Sequence, residues 1–284
     1  MTAGESHGPR LTAIAEGIPA GLKLLAEGYG RGGRMKIETD RVELTGGVRG
    51  GETLGSPISM TILNRDYGSW LGRMDPGPLA APPEPLTRPR PGHADLAGGL
   101  KYDRRDLRDV LERASARETA SRTMVGAVAR KLLAAVGIDV FAHVISIGDV
   151  GVARSVDSHQ DLCALARASN LSCADADAAA RMKDAIRAAS HAGDTLGGVF
   201  EVIATGVPAG LGSHVQWDRK LDGRLAQALA SIQAIKGRRA PSVAPRFTIR
   251  SNSIRGRVSL AQPTVQADWR GESRTGSPSS AVPR

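Results

Sequence analysis

The chain has 284 residues and is 41% hydrophobic but only 3% aromatic, so the core of one large domain or two ordinary ones must be built from Ala, Val, Ile and Leu. Its two cysteines, Cys163 and Cys173, are too few for a disulfide framework and lack zinc-type spacing, which excludes a stapled scaffold and a structural metal module. The net charge of +9 is uneven: beyond Lys236 stand nine arginines against one Asp and one Glu, so seven of the nine positive charges lie there, with no aromatic platform of the RNA-binding kind, and a nucleic-acid partner is not expected.

No charged-then-apolar leader opens the chain and no apolar run is long enough for a bilayer, so a cytoplasmic protein without a membrane partner is expected. Residues 10–16 alternate as a strand, closed by Gly17-Ile18-Pro19-Ala20-Gly21-Leu22. Residues 76–91 are Pro-rich and predict an extended loop. From Arg105 to about Val136 an apolar stripe through Leu107, Val110, Leu111 and Ala114, then Val125, Val128, Ala129 and Leu132, predicts one helix stopped by Gly137. Residues 140–147 form a β-branched run, and residues 158–169 and 176–192 predict helices. Residues 199–205 predict a strand closed by Gly206-Val207-Pro208-Ala209-Gly210-Leu211, a repeat of the first strand and turn that hints at two related halves. A short amphipathic helix follows over 224–235. Strands and helices without regular alternation predict an α+β fold.

Four segments carry the residue types of a reaction site. Gly4-Glu5-Ser6-His7-Gly8 holds a histidine that can exchange a proton near neutral pH. Gly28-Tyr29-Gly30-Arg31-Gly32-Gly33-Arg34 combines glycines, which let the backbone approach an anion, with arginines that neutralise it, and Gly47-Val48-Arg49-Gly50-Gly51 follows in the same style. Residues 88–95 place His93 in a Pro/Gly-held loop with Arg88, Arg90 and Asp95, a combination of cation and proton donor suited to a phosphate leaving group. Residues 112–122 place Arg113 and Arg117 four apart on the expected helix, with small Ala114 and Ser115 between them to admit a ligand.

In this order, GESHG, LTAIAEGIPAGL, GYGRGGRMKIE, GVRGGETLGSPI, RPGHADLAGGLKY, ERASARETASR, GDTLGG, PAGLGSH and SIQAIKG resemble the chorismate synthase family from Met1 to Gly237. The resemblance implies a β-α-β sandwich, usually a homotetramer. It also implies conversion of 5-enolpyruvylshikimate 3-phosphate to chorismate and phosphate by a 1,4-anti elimination that needs reduced FMN, with NADPH as a source of flavin reduction in some members. No metal is implied. By position, His7 matches the histidine thought to protonate the reduced flavin and His93 the one near the leaving phosphate. Arg113, Ala114 and Ser115 match one FMN-contacting stretch, and Gln233 and Ala234 a second. Arg31 matches a substrate or NADP contact, and Arg34, Arg49 and Arg117 match substrate-anion contacts.

The departures from the pattern are equally specific. Met1 directly precedes Thr2 where the family has a few more residues of strand, and Leu25-Ala26-Glu27 runs into Gly28 where the family has a helix. After Gly237 the family's VEIG, G-S-E-V-H-D and N-R-A-G-G motifs are replaced by an Arg-, Ser- and Pro-rich tail. Permitted codons for residues 243–250, read from the third base of the first, spell G-S-E-V-H-D-P, and residues 263–280 at the same offset spell N-R-A-G-G followed by further family motifs. The expectation is a family domain over 1–237 and a basic, disordered, out-of-frame tail over 238–284. Poor solubility and weak or no FMN binding are expected from it. The rival readings are a non-catalytic fragment that associates with an intact homologue and a basic nucleic-acid-binding protein.

Overall fold

A computed structural model describes residues 1–24, 40–81, 83–153, 158–239 and 247–255, with side chains as far as Gly237. Strands are numbered in chain order. β1 (Thr2–Ala3), β2 (Arg10–Ala15), β3 (Val42–Gly46) and β6 (Ile58–Leu63) make an antiparallel sheet in the order β1-β2-β6-β3, with the small hairpin β4 (Val48–Arg49) and β5 (Glu52–Thr53) inserted between β3 and β6. In β2 the period of two places Leu11, Ala13 and Ala15 on the buried face and Arg10 and Ile14 toward solvent.

The second sheet contains β7 (Asp139–Ile147), β8 (Val150–Gly151), β9 (Thr195–Thr205), β10 (Ile235–Arg239) and β11 (Phe247–Arg255), in the order β10-β11-β9-β7-β8 with every neighbour antiparallel. The helices are α1 (Asp95–Tyr102), α2 (Arg108–Ala114), α3 (Thr119–Ala135), α4 (His159–Ala168), α5 (Ala176–His191) and α6 (Leu221–Ala230). Ser158 and Asp175 cap α4 and α5, their side-chain oxygens accepting from the N–H groups of Asp161 and Ala178.

α3 lies between the sheets. Its Met124 and Val128 pack on Ala13, Ala15, Ile58, Met60 and Ile62 of the first, and Leu133 packs against the core of the second. On one face of the second sheet, Val140, Val144 and Val202 meet Ala178, Ala179, Met182 and Ile186 of α5. On the other, Phe141 and Ile203 meet Leu162 and Cys163 of α4. Covered on both faces, β7 and β9 read as nearly continuous apolar runs. The result is an α+β fold with a helix layer between two sheets.

The repeated turn is real in backbone terms. Gly17 and Gly21 have φ of 78° and 82°, and Gly206 and Gly210 have 72° and 97°, all in the left-handed region that disfavours a side chain.

The longest expected helix is broken. The helix expected over 105–136 is three pieces: α2, a 3-10 turn at Ala116–Glu118, and α3. Ser115 breaks it, with extended backbone (φ −60°, ψ 144°) and a hydroxyl that accepts from the Arg117 N–H. A serine oxygen that satisfies a free N–H at a helix start competes with continuation of the helix, and here the cap prevails. The segment read as a disordered tail contributes one described strand, β11, inserted between β10 and β9.

Candidate functional site

The break at Ser115 creates the site. Because α2 ends there, the Glu112–Glu118 segment turns its side chains into the loop that carries His7. The Ser6 N–H donates to the Glu112 carbonyl at 3.1 Å, and the His7 N–H donates to Glu112 Oε2 at 2.7 Å. Glu112 Oε1 lies 2.8 Å from His7 Nδ1. Glu112 itself is only 2% exposed, so a buried carboxylate holds both the backbone and the ring of His7. The imidazole stacks on Trp70, with ring centroids 4.1 Å apart and 28° between planes, and its Nε2 is 4.0 Å from Asp66 Oδ2.

Arg113 and Arg117 do not share a helix face. Arg113 donates to the Thr2 carbonyl and hydroxyl at 3.0 and 2.9 Å and to the Gly4 carbonyl at 3.4 Å, stapling β1 and the His7 loop. Arg117 makes a two-pronged pair with Asp40 and also donates to Asn64 Oδ1. Asn64 in turn donates to the Glu5 and Gly8 carbonyls, closing the loop from the far side. The Ser115 hydroxyl donates to the Ser6 hydroxyl at 3.2 Å. Ala114 ends α2 beside it.

Gln233 joins this group from the second half of the chain. Its Nε2 donates to Glu118 Oε2 at 3.1 Å, while its Oε1 is buried with no hydrogen-bond partner among the described residues. Glu118 also accepts from Thr2 Oγ1 and from Arg122 Nε. Burial alone would raise its carboxyl, but the bonds from Gln233, Thr2 and Arg122 outweigh that and hold it below its ordinary range. Ala234 has φ of 67°, a left-handed strain next to the unpartnered oxygen of Gln233.

His93 forms a separate cluster. Its Nδ1 makes a short hydrogen bond to Asp95 Oδ1, and Asp95 Oδ2 accepts from Arg90 N and Nε at 3.0 and 3.1 Å. An Arg90 terminal nitrogen is 3.0 Å from His93 Nε2. Asp95 is fully buried; burial pushes its carboxyl up, but the Arg90 bonds and His93 more than offset this and keep it below the usual carboxylate range.

Of the expected site residues, the structure therefore brings His7, Arg113, Ser115, Arg117 and Gln233 into one hydrogen-bonded group. His93 stands in its own, and Arg49 lies exposed on the β4-β5 hairpin. Arg31 and Arg34 lie outside the described residues. The sequence reading missed Glu112, Trp70, Asp66, Asn64 and Asp40; of these only Glu112 sits in a motif that was singled out. Both cysteines are buried, and burial pushes both thiols up. Among the described residues no group of three or more His, Cys, Asp or Glu is arranged for a metal ion, and no helix is long and apolar enough to cross a membrane.

A family model described as chorismate synthase matches residues 1–241. A chorismate synthase of Moorella thermoacetica is 57% identical over 248 residues, covering 84% of this chain and 64% of that protein. One of Geobacter sulfurreducens is 54% identical over 249 residues, covering 84% and 63%. A crystal structure of chorismate synthase superposes with a TM-score of 0.69 at 44% identity, covering 84% of this chain and 67% of that one. The chain thus spans under two thirds of the length of these two curated relatives.

Proposed function

This chain belongs to the chorismate synthase family, and from that premise we propose that residues 1–237 form that family's pocket for the 1,4-anti elimination of phosphate from 5-enolpyruvylshikimate 3-phosphate. The observation that carries this reading is the closure of the Gly4–Gly8 loop onto the Glu112–Glu118 segment, which places His7, Ser6, Ser115 and Arg113 in one bonded group. A substrate with a phosphate and two carboxylates needs cations and a proton donor in a water-poor setting. Arg117, Arg49, Arg31 and Arg34 are the proposed anion contacts, and His93 is the proposed proton donor to the departing phosphate. The buried Asp95 carboxylate supports that role by holding the ring at Nδ1; delivery of a proton from Nε2 requires the Arg90 nitrogen 3.0 Å away to give way to the phosphate.

The buried, unpartnered Oε1 of Gln233 fits a ligand that offers an N–H donor, and the flavin ring is such a ligand. Arg113, Ala114, Ser115, Gln233 and Ala234 are the proposed FMN contacts, and His7 the proposed proton carrier toward the ring. Reduced FMN, when bound, supplies the electron-rich chemistry that the side chains lack. NADPH is the proposed source of flavin reduction, and a homotetramer in the cytoplasm the proposed working state.

On the reading of residues 238–284 as an out-of-frame tail that lacks the family's later motifs, flavin binding and turnover are proposed to be weak in this chain. Titration with FMN, then anaerobic phosphate release with reduced FMN, tests both parts. Weak, saturable flavin binding with little turnover is expected. Tight binding with full turnover removes the claim of weakness, and no binding of flavin or substrate to the folded chain removes the pocket. Sequencing the coding DNA tests the origin of the tail: absence of G-S-E-V-H-D and N-R-A-G-G in another frame ends the out-of-frame reading.

A further inference from the structure

We propose that Glu112 is the positioning residue for His7, fixing its imidazole as the Nδ1–H tautomer and leaving Nε2 as the nitrogen that faces a ligand and carries the mobile proton. This rests on the reading of His7 as a proton carrier, but the tautomer can be observed without turnover. An ionised carboxylate only accepts hydrogen bonds. Oε2 of Glu112 already accepts the fixed His7 backbone N–H at 2.7 Å, and Oε1 stands 2.8 Å from Nδ1, so Nδ1 must donate. In a neutral imidazole the other nitrogen then bears the lone pair.

Burial keeps this choice from being averaged away by water: Glu112 is 2% exposed, and the Ser6 N–H on its carbonyl ties the same residue to the loop a second time. Trp70 stacked on the ring restricts rotation about the side chain. The oxygen of Asp66 is 4.0 Å from Nε2, too far for a direct hydrogen bond. The contrast with His93 is informative. Its Nδ1 also meets a buried carboxylate, but an Arg90 nitrogen, which can only donate, lies against the ring 3.0 Å from Nε2 and 3.1 Å from Nδ1. Of the two histidines, His7 is thus the one whose second nitrogen stays available among the described residues.

The test is long-range proton–nitrogen NMR of the histidine rings in the full chain, at a pH where the imidazoles are neutral, for the wild type, Glu112→Gln and Glu112→Asp. The wild type is expected to show His7 protonated at Nδ1. In Glu112→Gln the amide oxygen keeps the His7 N–H and the amide NH2 turns to Nδ1, so the proton is expected to move to Nε2. Glu112→Asp, which keeps a carboxylate, is expected to retain the wild-type tautomer. A wild-type His7 protonated at Nε2, or a Glu112→Gln variant with an unchanged tautomer, overturns the proposal. Should Glu112→Gln fail to fold, the wild-type spectrum alone decides. Where the wild type turns over, Glu112→Gln is expected to lower kcat about 100-fold with KM little changed. An Nδ1–H tautomer in a folded wild type that binds neither flavin nor substrate retires the proposed function and leaves the positioning role standing.

Discussion

Arg117 and Asp40 meet through two parallel hydrogen bonds of 2.8 Å, with the side chains only 9% and 11% exposed. A two-pronged pair so far from water fixes direction as well as charge. It locks the turn after Ser115 onto the chain two residues before β3, and through Asn64 onto the His7 loop. Removing one partner leaves the other charge buried, so Asp40→Ala is expected to cost about 3 kcal/mol of stability. Arg117→Lys keeps the charge but loses the fork, and is expected to cost about 1.5 kcal/mol. Urea denaturation of both variants checks the order.

The two copies of the Gly-x-Pro-Ala-Gly-Leu turn separate conformational strain from steric conflict. Gly17 and Gly206 have nearly the same φ, but a Cβ on Gly17 meets nothing within 4 Å, whereas one on Gly206 stands 2.1 Å from the Gly137 carbonyl oxygen. Gly17→Ala is expected to cost about 1 kcal/mol from backbone strain alone. Gly206→Ala must also push apart two backbone segments and is expected to cost at least about 3 kcal/mol. Thermal melts of the two variants give the comparison directly.

His143 is 7% exposed, and its Nε2 has no partner among the described residues. Burial lowers its pKa from the ordinary 6.5, with Asp175 pulling weakly the other way. On acidification the unfolded chain therefore takes up this proton first. The contribution to stability is complete above about pH 6.5 and is lost as pH falls toward the depressed folded value. His143→Gln is expected to flatten the stability profile below neutrality, and urea midpoints taken across that range measure it.

Gln233 presents a buried acceptor on one side and holds Glu118 on the other. Under the proposed function Gln233→Ala is expected to weaken FMN binding about tenfold, the equivalent of one hydrogen bond. Fluorescence titration with FMN reads this. An unchanged affinity would mean that Gln233 serves only to orient Glu118.

Much of the second sheet was legible. The apolar β-branched run of β7, the strand β9 before the second Gly-x-Pro-Ala-Gly-Leu turn and the capped helices α4 and α5 that cover the sheet follow from local pattern and local capping, as β2 before the first turn does in the other sheet. The first sheet was less so: β6, Ile-Ser-Met-Thr-Ile-Leu, is too short an apolar run to declare itself, and β3 precedes it with exposed edge residues. α1 was hidden by Gly98 and Gly99, which lower helix propensity. A Cβ at Gly98 would stand 2.3 Å from the Val110 side chain, and one at Gly99 2.5 Å from that of Leu107. The site was half legible for a similar reason. Motifs located His7 and Arg113, but the contacts that set them span long stretches of chain, such as the 105 residues from His7 to Glu112, and no local period encodes that. The break at Ser115 escaped because Glu, Arg and Ala on either side all favour helix, and only the serine hydroxyl on the Arg117 N–H breaks the tie.

The place of β11 between β10 and β9 has a consequence for the backbone of the tail. In the sheet, β10 joins its neighbours only through β11, so the stretch that ends in Gln233 and Ala234 is moored partly by a strand from the arginine-rich tail. A ladder reads backbone amides, not side-chain identity. The pairing itself asks of 247–255 a backbone amide at each bonded position, so proline, which removes one, is the residue it excludes most directly.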